Sequence, residues 1–345
     1  MSDTRRALLA ALAEGPVSGP ELADRLGVSR AAVWKHVESL RDEGFGVESD
    51  DEGYVVTDVP EYGGPAIEYG LEADYDVEFH DVLDSTNTRA RELADEGASD
   101  VVVVAREQSA SKGRKGRVWT SPDGGVWMSL LIRPEEPPAF APLYTLAMAI
   151  AVCDAAREAG VDASIKWPND VIVSEANNRS SGAPASDGVI VSEASDASSD
   201  SPKSELLGYK KLCGILTEME GEADRVSWVV IGTGINVNID PETLPEGATS
   251  VAAESGAVER RIFVQRVLER FDELRADLDG VLPAWRERAD TLGRRVRVHT
   301  AGSIVEGTAV DVEHPGTLIV QTDEGDVRVH AGDCEHLRPV ADEGH

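Results

Sequence analysis

Four cations fall within six residues at 112–117, where Lys112, Arg114, Lys115 and Arg117 alternate with Gly113 and Gly116. Glycine lets a backbone approach a ligand closely and turn its N–H groups toward an anion. The cations then neutralise the anion's charge. Alone, such a loop fits a free phosphate and a nucleic-acid backbone equally well. Its setting narrows the choice. It follows a predicted strand and runs into Val118 and Trp119, so it is anchored in a core.

Three further segments carry candidate chemistry. Lys166-Trp167-Pro168-Asn169-Asp170 places two oxygen donors, Asn169 and Asp170, after a proline that fixes its own φ and biases Trp167 to extended backbone. Those oxygens suit a cation or hydroxyl groups; the segment also reads as an ordinary turn before a strand. Lys210-Lys211-Leu212-Cys213-Gly214-Ile215-Leu216-Thr217-Glu218 puts a lysine at the mouth of an apolar strand, beside a glycine, a partner for phosphate or carboxylate. Gly232-Thr233-Gly234-Ile235-Asn236-Val237-Asn238 is a glycine-spaced strand end with two amides. Ser85-Thr86-Asn87 adds polar groups at a strand-to-helix turn, and Ser85 reads equally well as a simple helix cap.

The elements around these motifs divide the chain. Residues 1–60 read as a winged helix-turn-helix. The first helix covers 5–14, and Ser18 with Glu21 forms a capping box over the second. Gly27 ends that helix, and Ser29 caps a third bearing Val33, Val37 and Leu40 at helical spacing. Two short strands, 45–49 and 54–57, make the wing. Ser29, Arg30, Lys35 and His36 on the third helix are candidate DNA contacts, since a helix in this position enters a major groove. The acidic wing, Asp50, Asp51 and Glu52, repels phosphates. A plain packing or dimerisation module is the other reading of these helices.

Residues 61–70 read as a linker and 71–290 as a mixed α/β domain. Strands are predicted at 101–105, 126–132 and 227–239, and helices at 141–159 and 260–278. Within it, residues 174–209 hold ten serines, and Val-Ile-Val-Ser-Glu-Ala at 171–176 recurs at 189–194. This marks an inserted, low-complexity surface loop. Residues 291–345 alternate in short β segments punctuated by glycine, the pattern of a small SH3-like β-barrel. The fold class is therefore α+β and multidomain.

A chain of 345 residues with 41% apolar content can bury two or three cores. No apolar run in the sequence is expected to span a bilayer. The apolar stretch after Arg5 and Arg6 is too short for a secretory signal and breaks at Glu14, which places the protein in the cytoplasm. Cys153, Cys213 and Cys334 lie far apart and read as packing thiols. The formal net charge of −31 is spread along the chain, and there are only seven lysines. That composition implies a halophile-like surface. Five of the seven lysines nevertheless lie in the motifs above.

Taken in order, these segments resemble the biotin–protein ligase family in its bifunctional ligase and biotin-operon-repressor form. The family pattern runs S-T-N, E-Q-T-A-G-R-G-R-x-G-R-x-W, K-W-P-N-D, K-L-x-G-I-L-x-E and G-I-G-I-N-x-N, and the similarity covers almost the whole chain. Two departures stand out. Ser111-Lys112 replaces Gly-Arg, which keeps the charge but loses a planar bidentate fork. The 174–209 insertion is also far longer than the family's turn.

The resemblance implies that biotin and ATP form biotinyl-5′-AMP, and that a lysine of a biotin carboxyl carrier protein then takes the biotinyl group. Two anions must meet in the first step. At about 4 Å and an effective dielectric near 20, each such contact costs about 4 kcal/mol, roughly a thousandfold in rate. Lys112, Arg114, Arg117 and Lys211 would offset this, with Lys211 and Arg114 touching both carboxylate and phosphate.

Ser85, Thr86, Asn87, Gln108, Lys112, Gly113, Arg114 and Lys211 are implied for biotin. Lys112, Gly113, Arg114, Lys115, Gly116, Arg117, Trp119, Lys166, Asn169 and Asn236 are implied for the adenylate. Asn169 and Asp170 would hold Mg2+, and Asp170 would help deprotonate the incoming lysine. Mobility of the loop at 108–118, with closure over the adenylate, is a further expectation. So are operator DNA and a second copy of the chain as partners. Two other readings compete. A lipoate or octanoate ligase gives no role to polar Ser85, Asn87 and Gln108. A non-enzymatic ligand sensor gives none to the cations.

Overall fold

The computed structural model describes residues 3–111, 113, 119–174, 208–222 and 224–337. In the N-terminal unit, α1 (Asp3–Ala13), α2 (Gly19–Leu26) and α3 (Arg30–Asp42) precede a two-stranded wing, β1 (Gly46–Ser49) and β2 (Tyr54–Asp58). The Ser18 hydroxyl accepts from Glu21 N, and the Ser29 hydroxyl accepts from Ala32 N. Each satisfies an orphan N–H of a first helical turn. Gly27 closes α2 at φ 63°, a conformation open to glycine. Leu8, Leu9, Leu12, Leu22, Val33, Val37 and Leu40 form the buried core.

The Pro- and Gly-bearing segment read as a linker holds a short buried helix, α4 (Gly64–Glu68). Ala66 packs into the N-terminal core and Ile67 into the central one. Beside it, Arg260 ion-pairs with Glu61 and Asp123 and lies 4.2 Å from the Tyr62 ring centroid.

The central unit is built from β3 (Asp76–Leu83), α5 (Thr86–Asp95), β4 (Val101–Gln108), β5 (Val126–Ile132), α6 (Ala141–Glu158), β6 (Ala163–Lys166), β7 (Asp170–Ser174), β8 (Tyr209–Gly221) and β9 (Val226–Ile235). Then come α7 (Val251–Ser255), α8 (Arg260–Ala276) and α9 (Val281–Arg286). The strands form one sheet in the order β3-β4-β5-β9-β8-β7-β6, parallel at β3–β4 and antiparallel elsewhere. Both faces are covered, which explains the unbroken valine run. Val101 and Val103 pack with α5 residues such as Ala90 and Leu93, while Val102 and Val104 join the core shared with α6 and α8.

The segment Pro138–Glu158 is long and apolar enough to cross a membrane, contrary to the expectation that no run is. Here it is the core helix: thirteen residues of α6 are buried, between the sheet and α8.

The C-terminal unit is a five-stranded antiparallel sheet in the order β13-β12-β11-β10-β14, from β10 (Arg295–His299), β11 (Ile304–Glu313), β12 (Thr317–Thr322), β13 (Gly325–Val329) and β14 (Asp333–His336). The expected barrel differs in one respect. Among the described residues β13 and β14 are edge strands and do not pair with each other. The inserted stretch falls at 175–207, outside the described residues.

Candidate active site

The site residues gather where α5 begins, β4 ends, and β5, β9, β8 and β7 run side by side. Its floor is a polar network. Gln108 Oε1 accepts from Thr86 N at 2.8 Å and from Thr86 Oγ1 at 3.2 Å. The Ser129 hydroxyl lies 2.7 Å from Thr86 Oγ1 and 2.6 Å from Asn87 Oδ1. Asn87 Nδ2 donates to Glu218 Oε2 at 2.8 Å. Ser129 is a member that the motif reading missed, its only signal a polar residue within the apolar strand β5. Glu218 closes the Lys210–Glu218 motif but was given no role there. Ser85 occupies the N-cap position of α5 without making the cap hydrogen bond, so its hydroxyl is not spent on the helix.

Glycines let these groups approach the sheet. A Cβ on Gly232 would meet Asn87 Oδ1 at 2.0 Å, and one on Gly234 would meet Trp119 Nε1 at 2.9 Å. The glycine spacing on β9 thus makes room for two side chains instead of turning the chain.

The charged wall comes from β7 and β8. Asp170 Oδ1 lies 2.7 Å from Lys211 Nζ, and Asp170 Oδ2 lies 3.3 Å from Lys166 Nζ. Burial opposes the charge on Asp170, but the two ammonium groups overcome it and hold the carboxyl well below its usual range. Burial likewise opposes the charge on Lys166, and Asp170 outweighs it, raising the ammonium above the usual lysine value. Lys211 Nζ also stands 5.0 Å from the centroid of the Trp119 ring. The Trp119 indole N–H is buried and has no hydrogen-bond partner within the described chain, so a bound acceptor would satisfy it.

Three expectations change. Asp170, clamped by two cations, is a poor proton acceptor, and its geometry is that of a group orienting Lys211. Asp170 does not fit a magnesium ion, because its carboxylate already faces two ammonium groups, and the Asn169 amide nitrogen donates to Ile215 O at 2.6 Å. Among the described residues no cluster of three His, Cys, Asp or Glu side chains could hold a metal. Asn236 is 3% exposed, and its amide donates to Thr249 O at 2.9 Å. It pins the segment that follows β9. Lys112, Arg114, Lys115, Gly116 and Arg117, and with them the expectation of loop mobility, lie outside the described residues. Of that loop Gly113 and Trp119 are described.

Behind the wall, the C-terminal sheet supports the Lys166–Asp170 segment. Trp167 N donates to Thr291 Oγ1 at 2.9 Å and its indole donates to Gly316 O at 3.0 Å. Thr291 Oγ1 is 3.1 Å from His336 Nε2. Cys153 and Cys334 are buried, and burial pushes both thiols up to about 12, as suits packing groups.

On the helix-turn-helix, Ser29 is used as the α3 cap. Arg30 and Lys35 are exposed and His36 half-buried. Trp34, between them, is 54% exposed and was not singled out from sequence.

The fold and site match known families in three places. Residues 79–236 match the Biotin/lipoate A/B protein ligase family, residues 4–55 an HTH domain, and residues 291–337 the Biotin protein ligase C terminal domain. The Bifunctional ligase/repressor BirA of Bacillus subtilis is 35% identical over 337 residues, covering 92% of this chain and 93% of the relative. The Escherichia coli protein of the same name is 27% identical over 331 residues, covering 92% of each. A biotin protein ligase from Aquifex aeolicus, solved with biotin and ATP, shares the fold with a TM-score of 0.57 at 24% identity. The match covers 76% of this chain and 99% of that one. The chain belongs to the biotin–protein ligase family.

Proposed function

We propose that this protein is a biotin–protein ligase that also acts as a biotin-responsive repressor. A biotin carboxylate oxygen attacks the α-phosphate of ATP, pyrophosphate leaves, and biotinyl-5′-AMP remains bound. The amine of a carrier-protein lysine then attacks the acyl carbonyl, the new amide forms, and AMP departs. The observation that carries this reading is Lys211, held between the Asp170 carboxylate and the Trp119 ring at the rim of the polar floor.

In this reading Ser85, Thr86, Asn87 and Gln108 bind the ureido ring. Lys211 and Arg114 span carboxylate and α-phosphate, and Lys112, Lys115 and Arg117 neutralise the phosphates with the N–H groups of Gly113 and Gly116. Trp119 covers the adenylate, and Lys166 acts through Asp170. Preorganised cations of this kind offset the anion–anion repulsion of the first step. Mg2+ is expected with ATP, but no step is assigned to it.

The same reading takes residues 1–60 as the operator-binding unit, 71–290 as the catalytic one and 291–345 as a small SH3-like β-barrel. It includes a homodimer and a surface adapted to high salt, for which the spread of acidic residues is the support. The test is incubation with biotin, ATP and a biotin carboxyl carrier domain in high salt. Mass spectrometry is expected to find biotin on one carrier lysine, dependent on both small molecules. Transfer of lipoate in its place would overturn the assignment.

A further inference from the structure

Ser111 stands where the family pattern has glycine, and its surroundings show what the hydroxyl does. The residue is 8% exposed. Among the described residues Asp100 is the only non-glycine with positive φ, so the backbone at 111 accepts a side chain without strain. Trp119 N donates to Ser111 O at 3.2 Å, and the Ser111 hydroxyl donates to Trp119 O at 2.6 Å. These two bonds tie together the two ends of the basic loop.

The hydroxyl has one proton, and a carbonyl can only accept. At its 2.8 Å contact with Ser121 Oγ, Ser111 must therefore accept and Ser121 donate. Ser121 in turn accepts from Gln108 Nε2 at 3.3 Å. At the far end, Thr86 N is an obligate donor and fixes Gln108 Oε1 toward itself. Both ends demand the same orientation of the Gln108 amide. One Nε2 hydrogen is left for a ligand acceptor.

We infer that the Ser111 hydroxyl is a positioning group for biotin, holding through Ser121 the Nε2 end of the Gln108 amide whose orientation Thr86 N selects, and so fixing where Gln108 presents its free N–H. This rests on the ligase reading. It makes the departure from glycine a functional feature that orients the pocket from the neck of the loop.

The test uses the full chain with S111A, S111G and S111T. Biotin affinity is measured by calorimetry without ATP, and biotin- and ATP-dependent pyrophosphate release is measured at saturating ATP. Loss of one such hydrogen bond predicts a biotin KM and Kd raised about five- to tenfold in S111A and S111G, with kcat and the KM for ATP within twofold. S111T keeps the hydroxyl and stays within twofold of wild type. Affinities in S111A and S111G that match wild type would overturn the inference. So would an equal rise in both KM values, or an S111T as impaired as S111A at unchanged Tm. Wild type that binds biotin yet releases no pyrophosphate would sink the ligase reading, while the calorimetric series would still decide the role of the hydroxyl.

Discussion

Lys211 reaches Asp170 across two paired strands, its ammonium 2.7 Å from Oδ1 although the β7–β8 register sets Lys211 opposite Ile172. The register shifts between Val171 and Ile172, and this irregularity brings the two charges together. Lys166 reaches the other oxygen of the same carboxylate, so one buried anion holds two cations in place.

Replacing that anion is predicted to damage both activity and stability. D170N leaves the two ammonium groups facing each other without a countercharge. Removal of one partner from a buried ion pair costs about 3 kcal/mol. The urea midpoint is expected to fall, and kcat for adenylation to drop about a hundredfold as Lys211 loses its orientation. An unchanged kcat would remove the positioning role from Asp170.

The β9 glycines make a steric prediction. In G232A the new methyl carbon would sit 2.0 Å from Asn87 Oδ1 and must displace it. Biotin affinity is expected to fall at least tenfold, and melting temperature to fall with it, because Gly232 is buried within β9, the central strand of the sheet. Calorimetric titration with biotin checks this, and wild-type affinity would contradict it.

These particulars mark what the sequence could reveal. Caps at Ser18 and Ser29, the α6 and α8 helices and the order of motifs were legible because each rests on local spacing. Helix caps need only a side chain and the N–H three residues on. The Lys211 arm of the Asp170 clamp and the Glu218 contact with Asn87 were not legible, since each joins elements far apart in the chain, and the Asn236 tie to Thr249 closes a loop whose path no local spacing gives. The segment at 61–70 misled for a related reason: its three glycines and Pro65 signal a turn, but tertiary packing against α8 and Arg260 buries it.

Acid sensitivity is expected from the docking of the C-terminal sheet. Burial lowers the His336 pKa below its ordinary value of 6.5, so the folded state holds the neutral ring. As pH falls through about 6.5 the unfolded chain takes up the proton first, and stability falls with pH until the folded ring protonates as well. Melting temperatures measured from pH 7.5 to 5 are predicted to decline, with a shallower slope in H336Q. Identical slopes would place the sensitivity elsewhere.

DNA binding and ligation are predicted to separate. Arg30 and Lys35 are exposed on α3, outside the catalytic network. R30A and K35A are each expected to weaken operator binding. Each phosphate contact removed lowers the slope of log affinity against log salt by about 1. Turnover of biotin and ATP should stay at the wild-type rate. A loss of turnover in both variants would tie α3 to the catalytic network and contradict the separation.

The central claim is that Lys211 serves an adenylating centre. Pyrophosphate release in high salt, dependent on both biotin and ATP, compared between wild type and K211A, tests it most directly. The prediction is steady release by wild type and a fall of at least a hundredfold in K211A, with the fold intact by circular dichroism. Release by K211A at the wild-type rate, or none by wild type supplied with both substrates, would contradict it.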